Sequence, residues 1–186
     1  MARLFLCAVS GAALAAAWAT GAPAASDPAA AAFVAAYGQA SPVTRTVVRP
    51  ARPPGCDCSG GVATRVSLTV TPQSLVDLGS GRYALIVREQ EAMASHADPG
   101  ALGVAYLQRT AGGWRLERRW DELAWTGDDG NPADRTLARG AAPPLLVAIE
   151  RQVHQGEFTK TAWVIALAPD APRLVGFHPI EAAGRP

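Results

Sequence analysis

The chain has 186 residues, 49% of them hydrophobic and 18% charged, with 17 Lys and Arg against 16 Asp and Glu. That is the length of one domain, with enough apolar residues for a continuous core that needs no metal or disulfide framework. A near-neutral chain without a basic run argues against nucleic acid and against an anionic membrane surface, both of which require clustered Lys and Arg.

Residues 1–25 have the order of a secretory signal peptide. Arg3 supplies a basic start, residues 4–19 are apolar, and small residues cluster up to Ala25. Cleavage is expected after Ala24 or Ala25, with Ala19 as the second choice. The competing reading is a retained anchor helix, but the apolar run falls short of the roughly 20 residues a span needs. Removal of Arg3 leaves 16 basic and 16 acidic residues. The mature protein is therefore expected in the periplasm or outside the cell, with no membrane span.

Residues 26–61 form a lead-in. Asp27 and Pro28 are a helix start, Gly38 a helix stop, and Phe33 and Tyr37 lie four apart on one face. A helix of about ten residues is marginal unless packed, so an Ala-rich tether is the alternative. Residues 44–48 suit an edge strand, cut short by Pro50, Pro53 and Pro54.

Cys56 and Cys58 follow in a Pro- and Gly-rich loop. In an oxidising compartment two cysteines suggest a disulfide, yet a one-residue spacing closes a strained, easily reduced ring. Three readings stay open: a structural intraloop disulfide, a redox-active pair, and a soft-metal site for Cu(I) or Zn(II).

Residues 62–186 read as a single antiparallel β domain. Val66, Leu68 and Val70 alternate with polar residues up to Pro72, which is expected to end that strand. Residues 82–88 form an apolar strand. A polar connection containing His96 then leads to a hairpin over residues 101–120, turning at Ala111-Gly112-Gly113. In its second arm Trp114, Leu116 and Trp120 are expected on one face. Residues 121–144 read as a long connection, and three strands follow at 145–151, 158–168 and 173–178. Residues 162–168, AWVIALA, are apolar on both faces and are expected in the interior of a sheet. The strands around 85–116 and 145–175 echo each other as two three-stranded meanders. The fold expected is mainly β: an antiparallel sandwich or small barrel of about seven or eight strands built from meanders, with one short N-terminal helix.

Candidate sites are sparse. His96 stands beside Asp98 in a polar connection, where function concentrates. The acidic stretch from Asp121-Glu122 to Asp128-Asp129, near Trp120 and Trp125, invites a glycosidase reading with paired carboxylates, and Asp128, Asp129, Asn131 and Asp134 a calcium loop. Neither spacing matches a recognised pattern, and Asp-Gly and Asn-Pro turns account for the same residues. Trp125 is expected as an exposed aromatic beside this loop. With no G-x-S-x-G elbow and no complete catalytic set, an enzyme is disfavoured, and no motif implies a cofactor.

The segments GRYALIV (81–87), ALGVAYL (101–107) and WDELAWTG (120–127) resemble small secreted bacterial proteins without an assigned activity. The resemblance covers the middle third of the chain and implies export and a β-rich fold. The function expected is non-enzymatic binding of an envelope protein or small ligand; the alternative is a thiol-redox or soft-metal protein using Cys56 and Cys58.

Overall fold

The computed structural model describes residues 27–51, 62–95, 98–138, 142–154 and 157–183. The signal-peptide stretch, the Cys56 and Cys58 loop and His96 lie outside the described residues.

The chain opens with α1 (Pro28–Tyr37). The Asp27 carboxylate accepts the N–H of Ala29 at 3.0 Å, proline occupies the first turn, and Gly38, at φ 75°, closes the helix with its N–H donated to the Val34 carbonyl at 2.8 Å. Each end thus satisfies part of its orphaned backbone. Ala32, Phe33 and Ala36 are buried, so the segment is a docked helix and not a tether.

Nine strands follow among the described residues: β1 (Val43–Arg49), β2 (Thr64–Gly79), β3 (Arg82–Glu91), β4 (Gly100–Thr110), β5 (Gly113–Thr126), β6 (Asp134–Ala138), β7 (Leu145–His154), β8 (Glu157–Leu167) and β9 (Pro172–Ala183). The first five make one antiparallel sheet and the last four another, each in sequence order; one of the two is curled into a half-barrel. The β4–β5 hairpin turns where Gly112-Gly113 predicts, and AWVIALA lies in β8, between β7 and β9.

The count exceeds the expected seven or eight because β6 lies inside what reads as a connection. β5 also runs on to Thr126. Pro72 does not end its strand. β1 pairs only with Thr64–Val70, so beyond Val70 strand β2 has β3 on one side and no paired strand on the other, and a proline without an N–H is tolerated there. A bulge at Gln73 then re-phases the strand, since Pro72 pairs with Val87 and Ser74 with Ile86.

The five-stranded sheet is covered on both faces. Leu85, Val87, Ala105 and Leu107 face α1 and pack with Phe33, Ala36 and Val70. Their neighbours Ala84, Ile86, Val104 and Tyr106 face the second sheet and pack with Leu146, Ile165 and Leu167. The Tyr106 hydroxyl donates to the Ala168 carbonyl at 2.7 Å and so ties the two sheets.

Trp114, Leu116 and Trp120 do not share a face. Leu107 pairs with Leu116 but Tyr106 pairs with Arg118, leaving Glu117 as an extra residue that inverts the alternation. Trp114 and Leu116 therefore pack on the helix-side core and Trp120 on the inter-sheet core, where it meets Tyr106 edge-on at 4.9 Å.

The docking of α1 rests on Phe33, which is fully buried and stacks on Tyr37 at 4.6 Å. Phe33→Ala is expected to cost about 3–5 kcal/mol in urea unfolding. Val34→Ala, on the exposed side of the same helix, should stay within about 0.5 kcal/mol.

Candidate functional site

The β5–β6 connection is held against neighbouring strands and loops. It is fixed by backbone bonds: Asn131 N–H to the Asp128 carbonyl at 2.7 Å, Gly130 N–H to the Asp98 carbonyl at 2.8 Å, and Glu91 N–H to the Gly130 carbonyl at 2.9 Å. Gly130 is required at this contact. Its φ is +70°, and an added Cβ would stand 2.6 Å from the Glu91 carbonyl oxygen. Buried Thr126 accepts the Ala133 N–H at 3.1 Å, and buried Glu150 accepts the Gly127 N–H at 3.1 Å and the Trp163 indole N–H at 2.8 Å.

Between this loop and the strands lies a cleft of about 300 Å³, lined among others by Gln73, Arg88, Asp128, Asn131, Asp134 and Arg135. The Arg88 guanidinium donates to the Asn131 side-chain oxygen, and the Asn131 amide nitrogen donates to the Asp129 carbonyl at 3.0 Å. The loop thereby orients one arginine. Burial first, and then the charge of Arg88, pull the Arg135 pKa below its ordinary value.

The residues singled out from the sequence separate here. Asp128 lines the cleft. Asp129, at φ 48°, is an exposed turn residue and does not. Trp125 corrects the expectation of an exposed aromatic. It is 1% exposed and packs with Val66, Leu68 and Ala101, because β5 extends as a paired strand through it and its register partner is buried Ala101. Among the described residues no three His, Cys, Asp or Glu side chains converge to hold a metal ion. Cys56, Cys58 and His96 lie outside the described residues.

Arg88 and Arg135 escape a search for motifs, yet both carry a legible signal. Arg88 is two residues beyond Ile86 on the inward face of its strand, and Arg135 alternates with Leu137 in DRTLA.

A second polar group is internal. Glu89, fully buried on the helix face of β3, accepts the Glu122 N–H at 3.2 Å. Arg45 lies 3.8 Å from Glu89 and 3.1 Å from both Asp121 and Glu122. Arg119 bonds Asp121 at 2.9 Å and the Ala36 carbonyl at 2.8 Å, and its guanidinium covers the Tyr37 ring at 4.4 Å. Tyr37 donates to Asp121 at 3.2 Å. Of the carboxylates in the glycosidase reading, Asp121 and Glu122 are thus engaged with arginines under the end of α1. Glu122 adopts φ 48°, a sparsely populated conformation for a non-glycine residue. Gly103 leaves the space Glu89 uses, since a Cβ there would stand 2.3 Å from its carboxylate.

No protein family, curated protein or solved structure matches the chain.

Burial, with the neighbouring Glu122 and Asp121 charges outweighed only in part by Arg45 and the Glu122 N–H, pushes the Glu89 carboxyl up to about 8. An unfolded glutamate ionises near 4.3. Between these values the folded chain holds the additional proton, so stability falls as pH rises through the window and levels off above it. Glu89→Gln should flatten that decline, whose size between pH 5 and pH 9 in the parent protein is on the order of 4 kcal/mol. Stability measured by urea unfolding at steps from pH 5 to pH 9 checks this; superimposable pH profiles would show that Glu89 ionises normally.

Proposed function

We propose that this chain is an exported, non-enzymatic β domain, two sheets stacked as a sandwich, that binds a small ligand in the cleft between them. The order of residues 1–25 supports export, as does the likeness of the middle third to small secreted bacterial proteins. The observation that carries the binding reading is the cleft. Its volume of about 300 Å³ is at the lower end for small-ligand sites. Its walls come from β2, β3, β6, β7 and a loop locked by backbone hydrogen bonds, so it is largely preformed. Preformed walls reduce the ordering cost of binding. The polar groups lie on several elements, which suits orientation of a ligand; among them no nucleophile stands beside a base, which favours binding over catalysis.

The test is a fragment screen read by amide chemical shifts. Cleft-bound fragments should move the resonances of residues 127–135, and Gln73→Trp, which places a large ring at the mouth from an exposed bulge position, should abolish those shifts while leaving the β3–β4 amides in place. Fragments that bind only elsewhere, or none that bind, would sink the reading.

A further inference from the structure

The geometry points to a compact oxyanion, a carboxylate or a phosphate, as the group by which the ligand is anchored, held between the guanidinium groups of Arg88 and Arg135. This rests on the cleft being a binding site and assigns its chemistry.

Each sheet contributes one inward arginine at the place where the shared apolar core stops. On β3, Ala84 and Ile86 pack in the inter-sheet core and Arg88 is the next residue on that face. On β6, Leu137 packs against the same core. Arg135 stands two residues before it, opposite buried Ala148 of β7. Position by position these are places where the alternation calls for an apolar side chain.

The other half-buried arginines show what such a residue ordinarily has. Six arginines among the described residues are half-buried. Arg45, Arg49, Arg82 and Arg119 each have a carboxylate within 4.0 Å, at 3.1, 2.8, 2.5 and 2.9 Å respectively. Arg88 and Arg135 form no such ion pair with a described residue, and both line the same cleft. Arg88 bonds the neutral Asn131 side chain, while its buried Nε has no hydrogen-bond partner. A desolvated guanidinium without an anion is costly, and two that repel each other more so. The lowered pKa of Arg135 has the same causes, burial and then its neighbour's charge. An oxyanion would complete the donor set, since guanidinium forks match carboxylate and phosphate oxygens.

The carboxylates nearby do not supply that anion. Glu150 is engaged by the Gly127 N–H and the Trp163 indole. Asp134 also lines the cleft but is exposed, and it raises the Arg135 pKa less than burial and Arg88 lower it. Asp128 lies half-buried along the cleft. These charges disfavour a large polyanion and so select for a compact one.

The test titrates the full chain with inorganic phosphate, with succinate and with neutral fragments, followed by amide shifts and thermal unfolding. Phosphate or succinate should shift residues 127–135 and raise the Tm with increasing concentration. Which of the two binds more tightly identifies the source of the oxyanion. Arg135→Gln and Arg88→Gln, made separately, should each weaken anion binding by about tenfold. Arg135→Gln should not lower the Tm of the ligand-free protein, because it removes a repulsion, whereas Arg88→Gln also gives up the bond to Asn131. Neutral fragments that bind the cleft while both anions leave it unmoved would overturn the oxyanion and spare the binding reading. Failure of every ligand would overturn both. A lowered Tm with unchanged anion affinity in the variants would make the arginines structural and overturn the assignment.

Discussion

The five-stranded sheet is a middle layer, and everything else in the structure follows from that. A sheet with one wet face alternates apolar and polar residues. β3 and β4 cannot, because α1 covers one face and the second sheet the other. Residues 84–87 and 104–107 are accordingly buried without exception. Burial on both sides of a strand is worth about 25 cal/mol for each Å² of apolar surface, so both covers stabilise the same strands, and losing either leaves a wholly apolar face in water. β5, with fewer apolar residues, serves both cores by inserting Glu117 and inverting its phase midway.

Polar residues enter where each apolar layer ends, and the two faces treat them differently. On the helix face, Arg45 and Arg119 meet Glu89, Asp121 and Glu122 between the cluster under Phe33 and the cluster around Trp125. The arginine and carboxylate charges there lie within ion-pair distance of one another, and backbone groups from α1 and β5 join the network. Such a buried network contributes little net stability but penalises other arrangements of the helix. On the inter-sheet face, Arg88 and Arg135 share their cleft with Asp128, Asp134 and Glu150 but form no ion pair with a described carboxylate.

Local chemistry made part of the architecture legible. The Asp27-Pro28 start and Gly38 stop define α1, Gly112-Gly113 defines the hairpin, and the two-faced apolarity of AWVIALA places β8 inside its sheet. What could not be read depends on partners distant in sequence. Pro72 looks like a terminus until one knows that β1 stops pairing at Val70. The phase change at Glu117 exists only in the register with β4, so the shared face expected of Trp114 and Trp120 is a local inference undone by a non-local pairing. Trp125 follows two carboxylates and precedes a Gly-Asp-Asp turn, which reads as loop; its burial comes from strands β2 and β4 brought beside it. The candidate site was half legible. Asp128 was singled out for its loop, whereas Arg88 and Arg135 matter only because two sheets bring their inward faces together.

The helix that seals the first sheet also imposes an order on the chain's assembly. Tyr37 bonds a residue 84 positions later and Arg119 reaches back 83 positions to Ala36. The helix is therefore made well before the last strand of the sheet that seats it. Until β5 is made, Phe33 and Tyr37 have no sheet to cover, and whatever handles the unfinished polypeptide meets them as an exposed aromatic pair. Closure of the helix marks the moment when the first sheet is complete.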